Sequence, residues 1–345
     1  MLRLSPVRWQ PPRDLAHALA LLQQPGARAL AGGSDVVPNL KLGSTRAELL
    51  VPIGALPELQ GVEQQGASLR LGAACGLAEL ASDPDVQELL PALAHALGRI
   101  ASPQIRNMGT LGGNLCLDTR CRYINQSELW REALGGCLKS HGSECHVVPG
   151  GKGCVAALSA DSAPVLIAYG ALAHIARLAG EGEDAGAMVG QTPGVVWRKV
   201  PVAELYTTDG LAHVDLRAGE LLTHVEVALP AERSRVVYRK WAVRQSIDFP
   251  LVSAALRLDR AADGKVAGGL LVVGALGPRP RILPLDAWAG APVDEALAQD
   301  LGDLAFDRCR PLPNIPYDSE YRRQRLRVEV RRAVRECIEG GDARI

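Results

Sequence analysis

The chain has 345 residues, 47% of them hydrophobic, and 38 basic side chains balance 38 acidic ones. Such a chain forms two or three packed units, and its neutral balance argues against a dedicated nucleic-acid surface, which relies on a clustered excess of Lys and Arg. It contains no apolar run of about 18 residues and no secretory signal at the N-terminus, so a cytoplasmic location is expected.

In chain order, Asp14 to Leu22 reads as a short amphipathic helix and Ala27 to Leu30 as a strand. Ala31-Gly32-Gly33-Ser34-Asp35 is a glycine turn leading into a helix that starts at Val36 and runs to Leu42. A strand over Leu49 to Ile53 closes a small α/β lobe, and Gly61 to Gly66 reads as turns. Strand Leu69 to Ala73 and helix Pro91 to Ala101 open a larger lobe ending near Pro230, interrupted between Asn114 and Asp161. The segment from Gly180 to Gly190 is a low-complexity loop. Three alternating stretches, Val236 to Val243, Val252 to Leu258 and Val266 to Val273, predict an antiparallel sheet. A final helix, Ser319 to Ile338, places Leu326, Val330, Val334 and Cys337 with Ile338 on a core-packing face, opposite a solvated Arg-rich face.

Five of the eight cysteines, Cys116, Cys121, Cys137, Cys145 and Cys154, fall in one short stretch. In a reducing compartment such a cluster binds metal more readily than it forms disulfides. Cys75, Cys309 and Cys337 are scattered and read as small buried hydrophobes.

Two glycine-rich turns carry the first chemical signal, the one at 31–35 and Gly109-Thr110-Leu111-Gly112-Gly113-Asn114. Without a Cβ, glycine lets backbone N–H groups approach a phosphate, so two such turns can grip one pyrophosphate; singly, either is a tight turn. Neither has the G-x-G-x-x-G spacing, and Pro149-Gly150-Gly151-Lys152-Gly153 is followed by Cys154 where a Walker loop needs Ser or Thr. A nicotinamide-binding Rossmann domain and a P-loop enzyme are therefore disfavoured.

With their flanks, Ile105-Arg106-Asn107-Met108 and Leu115-Cys116, these turns resemble the flavin-binding signatures of xanthine dehydrogenase and carbon monoxide dehydrogenase medium subunits. Ala160 to Leu166 resembles that family's third flavin segment, and Arg239 to Arg244 with Asp248 to Val252 its fourth. The resemblance implies an α+β fold: a two-lobed FAD-binding domain of the PCMH type (1–55 and 56–230), then a C-terminal α+β domain with an antiparallel sheet and helices (231–345). It implies that Gly32, Gly33, Ser34 and Asp35, with Thr110, Leu111, Gly112, Gly113 and Asn114, cradle the FAD diphosphate. Asp161 would bond the adenosine end, Leu222 and Lys240 would approach the flavin, and Ala31 and Ala101 complete the cofactor contacts. Without the resemblance, Asp161 is a loop residue and Lys240 a strand lysine with an extended stem.

The chain departs from that family's usual pattern by an excursion over 115–158, which holds Cys121, Cys137, Cys145 and Cys154. Four thiolates suit a [4Fe–4S] cluster or a structural zinc, and without a C-x-x-C pair the spacing does not choose between them. His141 and His146 are further zinc candidates, or simply surface histidines. Here Leu115 to Cys121, Asn125 to Glu128, Cys137 to Lys139 and Cys145 to Val147 resemble the flavin subunits of 4-hydroxybenzoyl-CoA reductases. That resemblance implies an additional [4Fe–4S] cluster held by Cys121, Cys137, Cys145 and Cys154, with Cys116 spare unless the loop folds so that it displaces one of them.

A flavin exchanges two electrons and an iron–sulfur centre one, so a chain holding both is an electron converter. By resemblance it joins a small subunit with two [2Fe–2S] clusters and a large molybdopterin subunit, as a dimer of heterotrimers. Ferredoxin would feed electrons through the cluster and FAD to molybdenum for reductive removal of an aromatic hydroxyl. Three other readings stay open: electron exit from an oxidative aromatic hydroxylase, a stand-alone FAD oxidase or dehydrogenase, and a zinc-stabilised scaffold.

Overall fold

The computed structural model describes residues 3–180, 183 and 192–339, so most of the loop read at 180–190 lies outside the described residues. Three sheets organise it. The first is a parallel sheet of β1 (Arg8–Trp9), β2 (Ala27–Leu30) and β3 (Leu49–Pro52) in the order β1-β3-β2. The helix Leu15–Leu22 starts at Asp14, whose carboxylate accepts the His17 N–H. It buries Leu15, Ala18 and Leu19 against Leu49 and Val51.

The second sheet is antiparallel, in the order β4-β5-β8-β6-β7. Its strands are β4 (Val62–Gln65), β5 (Ser68–Gly72), β6 (Leu172–Leu178), β7 (Val195–Pro201) and β8 (Leu221–Ala228). Residues 61–66, read from sequence as turns, thus hold an edge strand; three of its four residues are exposed polar groups, so no apolar alternation marks it. Helices Leu77–Ser82, Pro84–Leu89, Pro91–Gly98 and Ser162–Ala168 share one core with this sheet. The helix predicted to reach Ala101 stops at Gly98, and Ala101 sits at φ +42°, outside helical space.

The third sheet, β12-β11-β10-β9, is also antiparallel: β9 (Ser234–Trp241), β10 (Val252–Arg260), β11 (Val266–Gly274) and β12 (Arg281–Pro284). Helices Glu295–Arg308 and Ser319–Ile338 bury Leu301, Leu326, Val330 and Val334 against it. Ile338, expected in the packed stripe, is instead 37% exposed on the last helical turn. The Arg-rich face is not uniformly solvated either. Arg322 is fully buried, and its guanidinium donates to the carbonyls of Leu251 (2.9 Å), Leu312 (2.8 Å) and Ala275 (2.9 Å).

The bonds to Leu251 and Ala275 are buried, so those carbonyls lose their partner if the guanidinium is removed. Arg322→Ala is expected to lower the unfolding free energy by about 3 kcal/mol through stranded acceptors and the cavity left behind. Urea denaturation followed by circular dichroism checks this; a loss below about 1 kcal/mol would mean the site refills with solvent.

Candidate functional site

The four segments singled out in the sequence converge through direct contacts. The two glycine turns touch backbone to backbone: a Cβ on Gly32 would stand 1.5 Å from the Met108 carbonyl oxygen, so only glycine fits. Gly33 takes φ +72°, which also favours glycine. Asn114 Oδ1 then accepts from the backbone N–H (3.2 Å) and hydroxyl (2.6 Å) of Ser162, tying the second turn to the third segment. Beside it, Asp161 accepts from the Tyr238 hydroxyl at 2.5 Å and the Lys240 ammonium at 3.0 Å, tying the third segment to the fourth. Lys240 also donates to the Arg99 carbonyl at 2.9 Å. The Ala101 carbonyl accepts from Arg106 and from the Ile247 N–H.

The turns differ in what they offer a phosphate. In the second, the N–H groups of Leu111, Gly112, Gly113 and Asn114 are committed to Cys75, Ala73 and Thr110. In the first, those of Gly32, Gly33, Ser34 and Asp35 have no partner among the described residues. These uncommitted donors suit the diphosphate of FAD, and they need no positive side chain to do so. Leu222 lies in the core of the second sheet, 3% exposed and in register with Ile175. Asp161 and Lys240 are bonded to each other, with side chains 3% and 5% exposed. Burial raises the Asp161 carboxyl above its ordinary range, opposed by Lys240 and by the Tyr238 hydrogen bond.

Between the helix Leu111–Leu115 and Ser162 the chain makes its excursion, and both ends of it are held. Arg120 and Ala157 exchange backbone hydrogen bonds of 2.8 and 2.7 Å. Asp35 accepts from the Asp118 N–H at 2.9 Å and from the Arg120 guanidinium at 2.6 Å, while that guanidinium lies 4.2 Å above the Phe249 ring. Arg131, on the short helix Glu128–Ala133, donates to the Leu42 carbonyl at 2.8 Å. Lys139 reaches the Gly210 carbonyl at 2.8 Å, and the Arg122 N–H bonds the Asn314 carbonyl at 2.7 Å. The excursion is therefore fastened to all three sheet-bearing regions.

Cys121, Cys137, Cys145 and Cys154 line one cavity of about 310 Å³, counting the part open to solvent. Among the described residues no group of three or more His, Cys, Asp or Glu is gathered closely enough to hold a metal ion as it stands. Hydrogen-bond donors nevertheless aim at three of the four sulfurs. The N–H groups of Tyr123 and Ile124 serve Cys121, that of Ala156 serves Cys154, and the Ser140 hydroxyl lies 3.5 Å from Cys137 Sγ. Burial pushes the Cys121 thiol up to about 11 and the Cys154 thiol above its ordinary value, and these donors partly oppose it. His146 bonds the Gly136 carbonyl at 2.6 Å, and His141 is exposed at φ +67°. Cys116 is not on the cavity wall; it lies beside Tyr206, where burial pushes its thiol up to about 12.

Sequence reasoning missed Arg120, Lys139, Gly210 and Tyr238. Each acts across a long sequence separation, 85 residues for Arg120 with Asp35 and 77 for Tyr238 with Asp161, so no local pattern announces it.

Fold and site together define a flavin-binding chain with an added cysteine-lined loop, and comparison with known proteins gives its family. Residues 5–230 match the family described as the FAD binding domain in molybdopterin dehydrogenase. The carbon monoxide dehydrogenase medium chain of Hydrogenophaga pseudoflava is 42% identical over 106 residues, 30% of this chain and 37% of that one. The aligned stretch thus spans little more than a third of that relative. The aldehyde oxidoreductase FAD-binding subunit PaoB of Escherichia coli (strain K12) is 31% identical over 261 residues, 73% of this chain and 77% of that one. Quinoline 2-oxidoreductase from Pseudomonas putida 86 shares the fold, with a TM-score of 0.74 at 22% identity over 98% of this chain and 99% of that one. The chain belongs to the FAD-binding family of molybdopterin dehydrogenases.

Two outcomes follow from this geometry. Gly32→Ala forces the two glycine turns apart and is expected to lower FAD retention at least about tenfold, read from flavin released after gel filtration. Lys240→Met leaves the Asp161 carboxylate buried without its counter-charge and is expected to cost about 3–5 kcal/mol at neutral pH. Because the folded pKa of Asp161 then lies still further above its unfolded value near 4, the cost vanishes below that pH and grows as pH rises. Chemical denaturation of both proteins at several pH values checks the sign.

Proposed function

We propose that this chain is the electron-relay subunit of a multi-subunit molybdenum enzyme, holding FAD across its glycine turns and a [4Fe–4S] cluster on Cys121, Cys137, Cys145 and Cys154. The observation that carries the reading is the convergence of those four thiols on one cavity with hydrogen-bond donors aimed at the sulfurs. Four cysteines on one cavity are the donor set that a four-iron cluster takes.

Bound here, the cluster would supply one-electron transfer beside a flavin that exchanges two. The chain's own residues bind and orient. Gly32 to Asp35 present N–H donors to the diphosphate, while Asn114 ties the second turn to Ser162, next to the Asp161–Lys240 pair. The excursion carries the sulfurs, fixed to the flavin turn through Asp35. Units read as 1–55, 56–230 and 231–345 each contain one of the three sheets, which supports that division. Substrate chemistry would belong to a molybdopterin subunit, with a small [2Fe–2S] subunit between them, in a dimer of heterotrimers. The excursion supports the 4-hydroxybenzoyl-CoA reductase-like direction, in which ferredoxin delivers electrons for reductive dehydroxylation. Relatives named as dehydrogenase and oxidoreductase chains favour a second direction, in which the cluster is an exit from an oxidative hydroxylase.

Anaerobic purification with flavin, iron, zinc and sulfide analysis tests the relay. About one FAD and four irons per chain are expected, with iron lost and FAD kept when any of the four cysteines becomes Ser. Zinc in place of iron, or no flavin, sinks the reading. Rapid flavin reduction by reduced ferredoxin marks the first direction; flavin reduction by an aromatic substrate of the complex marks the second.

A further inference from the structure

We propose that Lys139, which is not a ligand, is the residue that sets the reduction potential of the cysteine-bound cluster by holding a fixed positive charge on the cavity wall. The proposal rests on the reading of the four cysteines as cluster ligands. Among the cavity-lining residues, Lys139 alone carries a permanent charge. Its side chain is 8% exposed, and an ammonium is buried at that depth only when its donors are used. All three are: they go to Asp118 Oδ1 at 2.6 Å, to the Gly210 carbonyl at 2.8 Å and to the Thr119 hydroxyl. The Thr119 hydroxyl itself donates to the Gly210 carbonyl at 2.8 Å, so the ammonium has one position.

A structural clasp alone would not need this place. Arg131 and Arg122 already fasten the excursion, through carbonyls of Leu42 and Asn314. Lys139 instead follows Cys137 by two residues and shares the cavity wall with Cys154. Its counter-ion does not cancel it at the cavity: the Asp118 side chain is 30% exposed, so water screens the carboxylate more than the ammonium. The four thiolates make the site negative, and an added electron makes it more so; a nearby buried cation therefore stabilises the reduced form and raises the potential. The step concerned is a one-electron reduction. In titration the electron comes from dithionite, which is oxidised, and no bond to Lys139 forms or breaks.

The sign of the effect separates this role from a structural one. In the anaerobically purified full chain, an EPR-monitored redox titration compares the native protein with Lys139→Arg, Lys139→Gln and Asp118→Asn. Lys139→Gln is expected to weaken cluster reduction about tenfold, a drop of about 59 mV for one electron, with the flavin midpoint unmoved. Lys139→Arg retains the native potential, and Asp118→Asn raises it. Equal potentials in native protein and Lys139→Gln at full iron content, or a shift of both Lys139→Gln and Asp118→Asn in one direction, overturn the proposal. If Lys139→Gln loses its iron, Asp118→Asn decides: a rise supports the role of the charge, and a fall or no change overturns it. Native protein without iron overturns the ligand reading, and this proposal with it, before any variant is compared.

Discussion

The structure depends on a backbone-to-backbone contact with no room for a side chain. Gly32 lies against the Met108 carbonyl, and this contact fixes how closely the turn after β2 meets the segment before the second glycine turn. It is a carbonyl of the second segment that meets Gly32, and the N–H groups of Gly32 to Asp35 take no partner among the described residues and stay available for an anion. The second turn takes the complementary part. Its N–H groups are spent on Cys75, Ala73 and Thr110, which makes it a rigid wall. The asymmetry follows from position: 109–114 runs beside the segment just after β5, where the carbonyls of Ala73 and Cys75 accept its N–H groups, whereas the N–H groups of 32–35 face no such carbonyls.

From that wall the polar connections run inward without a gap. Asn114 bonds Ser162, Asp161 bonds Tyr238 and Lys240, and Lys240 returns to the Arg99 carbonyl. Each buried polar atom in the series is answered by another from a different part of the chain. Removing any one strands its neighbour, so the third sheet is coupled to the second lobe by polar contacts as well as by apolar packing.

Much of this was legible in the sequence where one face of an element is buried. The final helix runs over the residues its apolar spacing marks, and β2 does the same. Legibility failed where burial does not alternate. β4 shows three exposed polar residues to the solvent, β12 shows three exposed positions of four, and Arg322 is a buried charge satisfied by carbonyls up to 71 residues away. At the site, glycine turns and cysteines announce themselves by residue type. The partners that position them, Arg120, Lys139 and Gly210, are of common types, and their significance lies in contacts that span the fold. Gly210 is the sharpest case: a Cβ there would stand 2.9 Å from Cys154 Sγ, a restriction invisible until the chain is folded.

The paired hydrogen bonds between Arg120 and Ala157 have an architectural consequence. They bring the entry and exit of the excursion side by side, so the intervening 36 residues, 121–156, leave and rejoin the lobe at one point. A segment closed at its neck adds little loop-closure cost to the host, since the ends to be joined are already neighbours. Its remaining ties to the host, from Arg122, Arg131 and Lys139, are contacts made along its length and not at the neck. The cysteine-bearing loop is in this sense a unit closed at its own neck.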